Sequence, residues 1–546
     1  MDFESVLEKC GSFGRYQFVL LLLYGYTNIL SSLHYFSQTI ISFTPNHWCY
    51  HEKLANLSFV DINNVYATLS QPSCTLLEDI VDGQPIVAAH GARCKEWIFN
   101  YENGYESVST ELKWICDDAF KSAVGQSVFY IGTVIGTIFF GFLADKIGRL
   151  PALILTTLSG GMGDFITSFV NSLPGFVAGR FISGLSTDTL FYLMFIMVFE
   201  YLDPKKRTFG LNIITALFYC FGLMLSPWVA LWVGTWRHYL LVASLPALAV
   251  LIYPLYLCES AQWLITKNNL KGAVRCLKRV AHFNKRHVDE TVFEAFVTYY
   301  ELKQAEEQKL NAKTDTFLGM FRTPRLRKFT IILLIKSMII TLAFDIVSRN
   351  MEGLGSSPFM LFSLTSIVYV PGGLTIILLQ NIIGRKGMAC GSLLIGGIIT
   401  AITGFMIAFL DRTEHALLLG VMVGLGRYGA NVAYDAEAQY AAELIPTSVR
   451  GQGLSNIHVV GYAMSFLTAY VIYLGNFFKP LPSIFISVIM LIGAALCLAL
   501  PETMHKKLPD TLAEGESFGI GEKWYFFPCT GEKNQKRITN KDDSLS

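Results

Sequence analysis

The stretch Gly141-Phe-Leu-Ala-Asp-Lys-Ile-Gly-Arg149 follows an apolar run, and a shorter copy, Asn381-Ile-Ile-Gly-Arg-Lys386, follows another run much later in the chain. Each copy comes after the second apolar run of its half of the sequence. Glycine lets helices approach closely, and a carboxylate and a guanidinium at a helix end can pair. Matched motifs at matched positions therefore indicate two duplicated halves, which is a plan typical of transporters with a site between the halves.

The composition places these halves in a membrane. Of the 546 residues, 52% are hydrophobic and only 16% are charged, against about 25% charged in ordinary soluble domains. About twelve spans of roughly 20 residues would use ~240 residues, and the chain has enough apolar residues to fill them. A net charge of +1 gives no global field that would attract nucleic acid. We therefore expect neither an ordinary soluble enzyme nor a nucleic-acid binder.

Twelve apolar runs organise the chain, six before a charged central stretch and six after it. We predict an all-α membrane protein with twelve transmembrane helices in two six-helix halves. The first run is too long for a signal-peptide core and lacks a small-residue cleavage site. The predicted segments are an N-terminal segment at 1–16, the first span at 17–43, an external loop at 44–121, spans two to six at 122–257, a helical linker at 258–328, spans seven to twelve at 329–500 and a tail at 501–546.

Lysine and arginine in the short loops predict the orientation. Lys146, Lys205, Lys206, Arg385 and Arg450 all fall in loops on one side, together with the linker. Because basic short loops mark the cytoplasmic side, we predict that both termini and the linker are cytoplasmic and the long loop is external. We expect a multi-pass protein of the plasma membrane that contacts anionic lipid headgroups through the basic linker.

Four cysteines lie in the polar loop at 44–121: Cys49, Cys74, Cys94 and Cys116. Four cysteines in a loop-rich external segment predict two disulfides, and three pairings are open. The sequon Asn56-Leu-Ser58 predicts glycosylation of Asn56 on the same side. The spacing of these cysteines is not that of a metal site, so we expect no metal.

Further motifs resemble one transporter family. Ala-Glu-Leu-Ile-Pro-Thr-Ser-Val-Arg at 442–450 resembles the loop after its tenth helix, and Leu-Pro-Glu-Thr at 500–503 resembles its C-terminal signature. Residues 7–14, 43–49, 179–184 and 321–328 resemble other motifs of the same family in the same order. The chain is similar to the major facilitator superfamily and, within it, to the organic cation/anion/carnitine transporter family. The resemblance implies the major facilitator fold and alternating access, with a cysteine-bearing extracellular domain between helices one and two.

The resemblance also implies a network of charges that forms a cytoplasmic gate. By this resemblance the gate residues are Asp145, Arg149, Glu200, Arg207, Glu259, Arg385, Glu443, Arg450 and Glu502. The chain departs from the family at two points. Asn381 replaces an acid in the second repeat, and the segment at 258–263 keeps Glu259 but loses both prolines and the arginine of the family pattern.

Ionisable residues inside spans are costly and are candidates for function. Three of them are acids with aromatic neighbours on helices that line the central cavity in this fold: Asp188, Asp345 and Asp435. An ammonium group is satisfied by carboxylates and aromatic faces. The predicted substrate-binding residues are Asp188, Asp345, Asp435, Tyr434, Phe344, Phe191, Tyr35, Gln38, Asn431, Tyr369, Tyr462 and Arg427. By resemblance, Tyr369 and Tyr462 stand where cation transporters carry acids, which suggests that cation recognition is relocated.

Each of these acids has an alternative interpretation as half of a structural ion pair. Arg180, Arg427 and Lys336 are the candidate basic partners, and Asp164 and Glu437 are interpreted as structural or interfacial. His34 fits a packed hydrogen-bonding residue better than a proton carrier. The sequence leaves these alternatives open.

We predict a secondary transporter of small organic cations or zwitterions, such as amine or carnitine-like metabolites. The chain has no Walker A motif and no nucleophile elbow, so we expect neither ATP hydrolysis nor another enzymatic activity, and no cofactor. We expect a monomer or a weak oligomer, and the coupling ion is left open. The alternatives are an organic anion transporter of the same family and a non-transporting receptor or scaffold on a carrier fold.

Overall fold

The computed structural model describes residues 1–11, 13–66, 69, 73–81, 84–88, 94–202, 204–310, 317–351, 354–412 and 414–528, except the side chains of 204–209, 212 and 304–310. Twelve long helical segments run through these residues, and we label them in chain order. They are α1 Arg15–Ile41, α2 Phe120–Ile147, α3 Arg149–Thr167, α4 Leu173–Tyr201, α5 Pro204–Val233, α6 Trp236–Tyr256, α7 Pro324–Arg349, α8 Pro358–Ile383, α9 Arg385–Phe409, α10 Ala416–Leu444, α11 Thr447–Asn476 and α12 Leu481–Leu498.

Ten of these segments are long and apolar enough to cross a membrane, within the described residues. The other two, α1 and α3, lie at the predicted first and third spans and are less apolar. The middle of α1 carries Asn28, Ser31 and Ser32, and α3 carries Asp164. These polar residues are buried, because other helices of the N-terminal half surround them.

Local sequence sets the starts and ends of the helices. Ser357 accepts a hydrogen bond from the Met360 backbone N–H and precedes a proline at the first turn of α8, which is a strong start signal. Gly148 separates α2 from α3 with φ 112°, and Gly384 separates α8 from α9 with φ 92°. Side chains disfavour this backbone conformation, so the two glycines permit the same tight turn in both halves.

The protein is mostly helical, as predicted, and the external loop adds two pairs of short strands to this fold. Strands His47–Cys49 and Trp97–Phe99 pair antiparallel, and strands Leu77–Val81 and Gln84–Val87 form a second pair. Short helices Phe59–Tyr66 and Val108–Glu111 lie in the same loop. Trp48, Leu54, Ile62, Tyr66 and Leu77 form a small apolar core there. The loop is therefore a folded α+β unit, which its short and irregular apolar segments did not reveal.

The linker and tail contain further helices. The linker forms helices Ala261–Thr266, Leu270–Phe283 and Glu290–Leu310, and the tail forms helix Leu512–Ser517. The N-terminal helix Phe3–Gly11 contacts the linker, because the Asn284 amide donates to the carbonyls of Cys10 and Gly11. The N-terminus and the linker thus lie at the same end of the molecule.

The apolar core falls into several clusters, and their positions show where the two halves meet. One cluster draws only on the N-terminal half and linker, and a second draws only on the C-terminal half and tail. Two other clusters join both halves near the external loop. There the Phe359 ring lies 4.9 Å from that of Phe43, and the Phe36 and Phe362 rings are 5.4 Å apart. The halves therefore close together beside the loop and have separate cores at the other end.

Candidate substrate site and gate

Aromatic side chains from both halves meet at the centre of the molecule. We call Tyr35, Tyr130, Tyr219, Phe344, Tyr369, Tyr434 and Tyr462 the central aromatic group. Ring centroids are 5.1 Å apart for Phe344 and Tyr434, 5.7 Å for Tyr219 and Tyr369, and 6.4 Å for Tyr35 and Tyr462. The predicted residues Tyr35, Phe344, Tyr369, Tyr434 and Tyr462 are thus brought together, with Tyr130 and Tyr219 added from α2 and α5.

Asp345 lies in this group as a paired carboxylate. It is fully buried, accepts a hydrogen bond from the Tyr35 hydroxyl and lies 3.6 Å from the Arg349 Nε atom. Arg349 in turn donates to the Thr39 hydroxyl at 2.8 Å and to the Tyr35 carbonyl at 3.0 Å. Asp345 and Arg349 therefore neutralise each other and tie α7 to α1. The four-residue spacing of this pair on one helix is a signal that sequence reasoning missed.

Asp188 is paired across the two halves. Its carboxylate lies 3.0 Å from the Nε2 atom of His458 on α11. The His458 ring lies 4.8 Å from that of Tyr462 and stacks at 6.4 Å with that of Tyr192. Asp188 therefore belongs to the central region, and its charge faces an imidazole rather than an arginine.

Asp435 differs from the other two acids because its side chain is exposed. Among the described residues it has no hydrogen bond and no ion pair. It follows Tyr434 on α10 and lies near that phenol, as does Asp188. Asp435 lies nine residues before Leu444, the last residue of α10, or about 14 Å along the axis at 1.5 Å per residue. An exposed charge at that depth is costly against lipid, so we infer that it faces water.

Arg427 is fully buried on α10, two turns before Asp435. Its Nη1 donates to the Thr365 hydroxyl at 2.8 Å and to the Phe362 carbonyl at 3.2 Å. The guanidinium lies 4.8 Å from the Phe362 ring and 5.3 Å from the Tyr369 ring. Its Nε and Nη2 atoms have no hydrogen-bond partner, and in the described part of the chain no carboxylate pairs with it. Arg427 is therefore a buried cation without a neutralising acid.

The remaining predicted binding residues are less central. Asn431 is buried one turn after Arg427 and lies against Gly372 of α8. Gln38 is buried near the external end of α1, and its Oε1 atom has no partner. Phe191 lies instead within the N-terminal half, with its ring 6.2 Å from that of Tyr24. The sequence did not show that Asp188 and Phe191 lie on different sides of α4.

The N-terminal half contains a buried charge network in which Arg180 is paired with an acid. Asp164 accepts from Arg180 at 2.8 Å and from the Ser183 hydroxyl at 2.7 Å, and it lies 2.7 Å from the His34 Nδ1 atom. In the C-terminal half the ammonium of Lys336 pairs with Glu437, and both residues are buried. Asp164 and Glu437 thus form structural pairs, in line with their structural interpretation.

The predicted gate residues of the N-terminal half are arranged around Glu259. Its carboxylate accepts from the backbone N–H of Arg149 at 2.8 Å and of Leu150 at 3.2 Å, at the start of α3. Burial raises the pKa of Glu259, while these N–H donors oppose that rise. The Arg149 side chain pairs with Asp145 at 2.6 Å. Negative charge at a helix start is favourable, so Glu259 caps α3.

The predicted gate residues of the C-terminal half repeat this arrangement around Glu502. Its carboxylate accepts from the backbone N–H of Arg385 at 3.0 Å and of Lys386 at 3.2 Å, at the start of α9. The Arg385 side chain donates to Asn381 at 2.8 Å, in the place of the Asp145–Arg149 pair, and it pairs with Glu443 at 3.1 Å. Asn381 thus binds Arg385 in the way expected of the acid that it replaces in the family pattern.

Two hydroxyl groups bind carboxylates of the predicted gate residues, and sequence reasoning did not find them. Ser260 donates to Glu200 in the N-terminal half, and Thr503 donates to Glu443 at 2.6 Å in the C-terminal half. Each hydroxyl follows a capping glutamate directly, which is the signal that was available. Arg450 donates to the Ile445 carbonyl at 3.3 Å. Arg207 is the remaining residue of the nine predicted gate residues, and its side chain lies outside the described residues.

The external loop has the predicted cysteine chemistry. Cys49 pairs with Cys94, and Cys74 pairs with Cys116, which selects one of the three possible pairings. Asn56 is exposed in a turn. His47 lies beside the second disulfide, but bonded sulfurs are not metal ligands, because the thiolate is the ligating form.

The two duplicated halves, the central group between them and the matching glutamate caps at one end are the architecture of a secondary membrane transporter. The chain belongs to the Major Facilitator Superfamily, because the model of that family matches residues 119–469. Proteins of this family are transporters and not enzymes, and the same holds for this chain.

Curated relatives carry the names that the sequence motifs suggested. The organic cation transporter-like protein of Drosophila melanogaster is 25% identical over 98% of this chain and 96% of its own length. Organic cation transporter 1 of Caenorhabditis elegans is 26% identical over 95% and 89%. The beta-alanine transporter of D. melanogaster is 27% identical over 99% and 92%. The predicted resemblance to the organic cation transporter family is confirmed.

Solved structures agree on the fold. The inward-open xylose transporter XylE of E. coli is similar with a TM-score of 0.56, over 92% of this chain and all of that one, at 15% identity. At that identity the likeness concerns the major facilitator fold alone.

Proposed function

We propose that this chain transports small organic cations or zwitterions, with Asp435 as the carboxylate that receives the amine. The observation that carries the proposal is the exposed Asp435 side chain, which has no ion pair among the described residues. A carboxylate without a cation, beside the Tyr434 phenol, offers an ammonium group both charge and an aromatic face.

The two other predicted acids fit different roles in this proposal. Asp345 is neutralised by Arg349, so it serves as a tie between the halves on the external side of the site. Asp188 faces His458 across the halves, so its availability to a cation depends on that imidazole. Breaking the Tyr35–Asp345 contact would accompany opening towards the external loop, as alternating access requires.

The unpaired Arg427 favours a zwitterion over a simple cation. Arg427 and Asp435 are eight residues apart on α10, about 12 Å along the axis and about 80° apart around it. A zwitterion whose amine binds Asp435 would direct its own carboxylate towards Arg427. The same unpaired guanidinium also supports the second candidate, an organic anion transporter. The names of the relatives include both cation and beta-alanine transporters.

Uptake by the Asp435→Asn variant tests the proposal. Radiolabelled uptake in cells should be measured for a cation, an amino-acid zwitterion and an organic anion, with surface protein quantified in parallel. We expect uptake of cation and zwitterion to fall at least tenfold in kcat/KM, since one lost hydrogen bond to a charged group costs ~1.5–3 kcal/mol. Asp289→Asn makes the same chemical change at an exposed linker residue and should leave uptake unchanged.

Unchanged cation uptake by Asp435→Asn at normal surface level would contradict the proposed role of Asp435. Uptake of the anion alone by the unaltered chain would select the second candidate. The absence of saturable uptake in every class would favour a receptor on a carrier fold.

We further propose that the chain spans the plasma membrane twelve times, with both termini and the linker in the cytoplasm. The basic short loops and the exposed sequon at Asn56 support this orientation. Glycosidase treatment should shift the mobility of the surface protein and leave an Asn56→Gln variant unshifted. An antibody against an epitope tag at either terminus should stain only permeabilised cells.

A further inference from the structure

A basic cavity lies at the gate end of the C-terminal half. Its volume is about 370 Å³, within the range of small-ligand sites. The start of α7, the start of α9, the end of α12 and the tail after Ser517 enclose it. It is separate from the central aromatic group, and neither the gate nor the proposed transport step uses it.

Four cations line this cavity: Arg325, Lys328, Lys386 and Lys523. The lining also includes one acid, Glu522, and this acid is already engaged. It pairs with Lys506 and accepts from the Glu502 backbone N–H at 2.8 Å. The cavity lining therefore carries more positive than negative charge, although Glu502 and Glu522 lie near Lys386 and Glu516 lies near Arg325.

The deepest of these cations are incompletely satisfied. Lys386 is only 1% exposed, and its ammonium donates to the Trp524 carbonyl at 2.8 Å. The Arg325 guanidinium donates to the Gly519 carbonyl, whereas its buried Nε atom has no partner. Each of these side chains thus donates to a neutral carbonyl of the tail. An anion in the cavity would supply the missing acceptors.

The cavity lies at the ends of two candidate membrane spans. It is bounded by the first turn of α7, which begins at Pro324, and by the last turn of α12, which ends at Leu498. Beside it the tail exposes three large apolar side chains, Ile520 at 69%, Trp524 at 63% and Tyr525 at 53%. Aromatic residues concentrate at the interface between lipid and water. These side chains favour an occupant that comes from the bilayer.

We propose that this cavity binds the phosphate-bearing headgroup of an anionic lipid from the cytoplasmic leaflet. Basic cavities between helix ends on the cytoplasmic side suit such headgroups. The backbone N–H of Lys386 is capped by Glu502, so the headgroup would sit next to the C-terminal gate and hold the tail against it. The inference rests on the proposed orientation of the chain and not on the proposed substrate.

The test measures lipid binding to the purified full-length chain in detergent by native mass spectrometry. The probes are a phosphatidylinositol bisphosphate, phosphatidylserine and phosphatidylcholine, each titrated alone, and the soluble inositol trisphosphate as a competitor. The variant is Lys328→Gln with Lys523→Gln, two exposed lysines outside the gate. The matched control is Lys267→Gln with Lys271→Gln, two exposed lysines of the linker.

We expect the phosphoinositide to bind more tightly than phosphatidylcholine, and its apparent affinity to fall roughly 30-fold in the cavity variant and less than threefold in the control, given the attraction of each basic residue for anionic lipid. Equal loss in both variants, or equal binding of phosphatidylcholine, would overturn the proposal. Binding of inositol trisphosphate as tight as that of the lipid would also overturn it, in favour of a soluble phosphate ligand. Because no transport is measured, these outcomes are independent of the uptake experiment.

Discussion

Arg180 in the N-terminal half and Arg427 in the C-terminal half occupy similar places and have different surroundings. Each follows a glycine, is fully buried and stacks on a phenylalanine, Phe129 at 4.6 Å and Phe362 at 4.8 Å. Arg180 pairs with Asp164 at 2.8 Å. Arg427 donates only to a hydroxyl and a carbonyl among the described residues.

This difference separates a structural cation from a candidate functional one. A buried charge is expensive unless it is paired, so the Arg180 network stabilises the fold as a complete unit. Within the described parts of the chain, the Arg427 charge is balanced only by aromatic faces and two neutral acceptors. The two halves therefore share helices and gates but differ in charge at the centre, and the C-terminal half carries both the unpaired cation and the unpaired Asp435.

The largest effect on stability should come from breaking the Asp164–Arg180 pair. Asp164→Asn leaves Arg180 buried without its acid, which costs ~3–5 kcal/mol for a buried pair. We expect a large fall in the unfolding temperature of the purified protein and little protein at the surface. Adding Arg180→Gln to this variant should restore part of the loss, since both charges are then gone. A double variant no more stable than Asp164→Asn would show that the pair is not the source.

An intermediate effect should come from the gates, where the two halves are alike. Glu259→Gln and Glu502→Gln each weaken the cap of one helix, with an expected cost of ~1 kcal/mol of unfolding free energy. Thermal unfolding of the two variants side by side checks this value. Similar losses would extend the equivalence of the gates from geometry to energetics, whereas a loss confined to one variant would break it.

The smallest effect on stability should come from Arg427→Gln. Its charge has no acid to leave unpaired, so we expect a change below ~1 kcal/mol, in contrast to Asp164→Asn. In uptake assays the KM of a zwitterion should rise while that of a simple cation stays constant. A stability loss as large as that of Asp164→Asn would mean that Arg427 is structural, and the comparison would fail.

Much of the fold was predictable because it follows from local sequence. Apolar runs gave helices near the predicted spans, and the repeated glycines gave the same turn at Gly148 and Gly384. The gate pairs Asp145–Arg149 and Arg385–Glu443 joined residues that the motifs had already marked. The external loop was the exception, because its strands are three to five residues long and pair across the loop.

The candidate site was less predictable, because its contacts join distant helices. The pairing of Asp188 with His458 and the contact of Tyr35 with Asp345 cross between the halves. The sequence marked all three acids alike, since each is an acid beside an aromatic residue in an apolar run. It could not tell which acid has a partner, because helix rotation and neighbouring helices set that.

The sequence by itself determined that this chain is a duplicated helical membrane protein with gate motifs, since hydropathy and short motifs act within a few residues. Only the tertiary structure decided which buried charges are neutralised. Asp345 meets Arg349 on its own helix and Tyr35 from the other half, Arg180 meets Asp164, and Arg427 meets rings and carbonyls. A charge inside the membrane is costly unless compensated, and compensation depends on which side chains lie within a few ångströms in space.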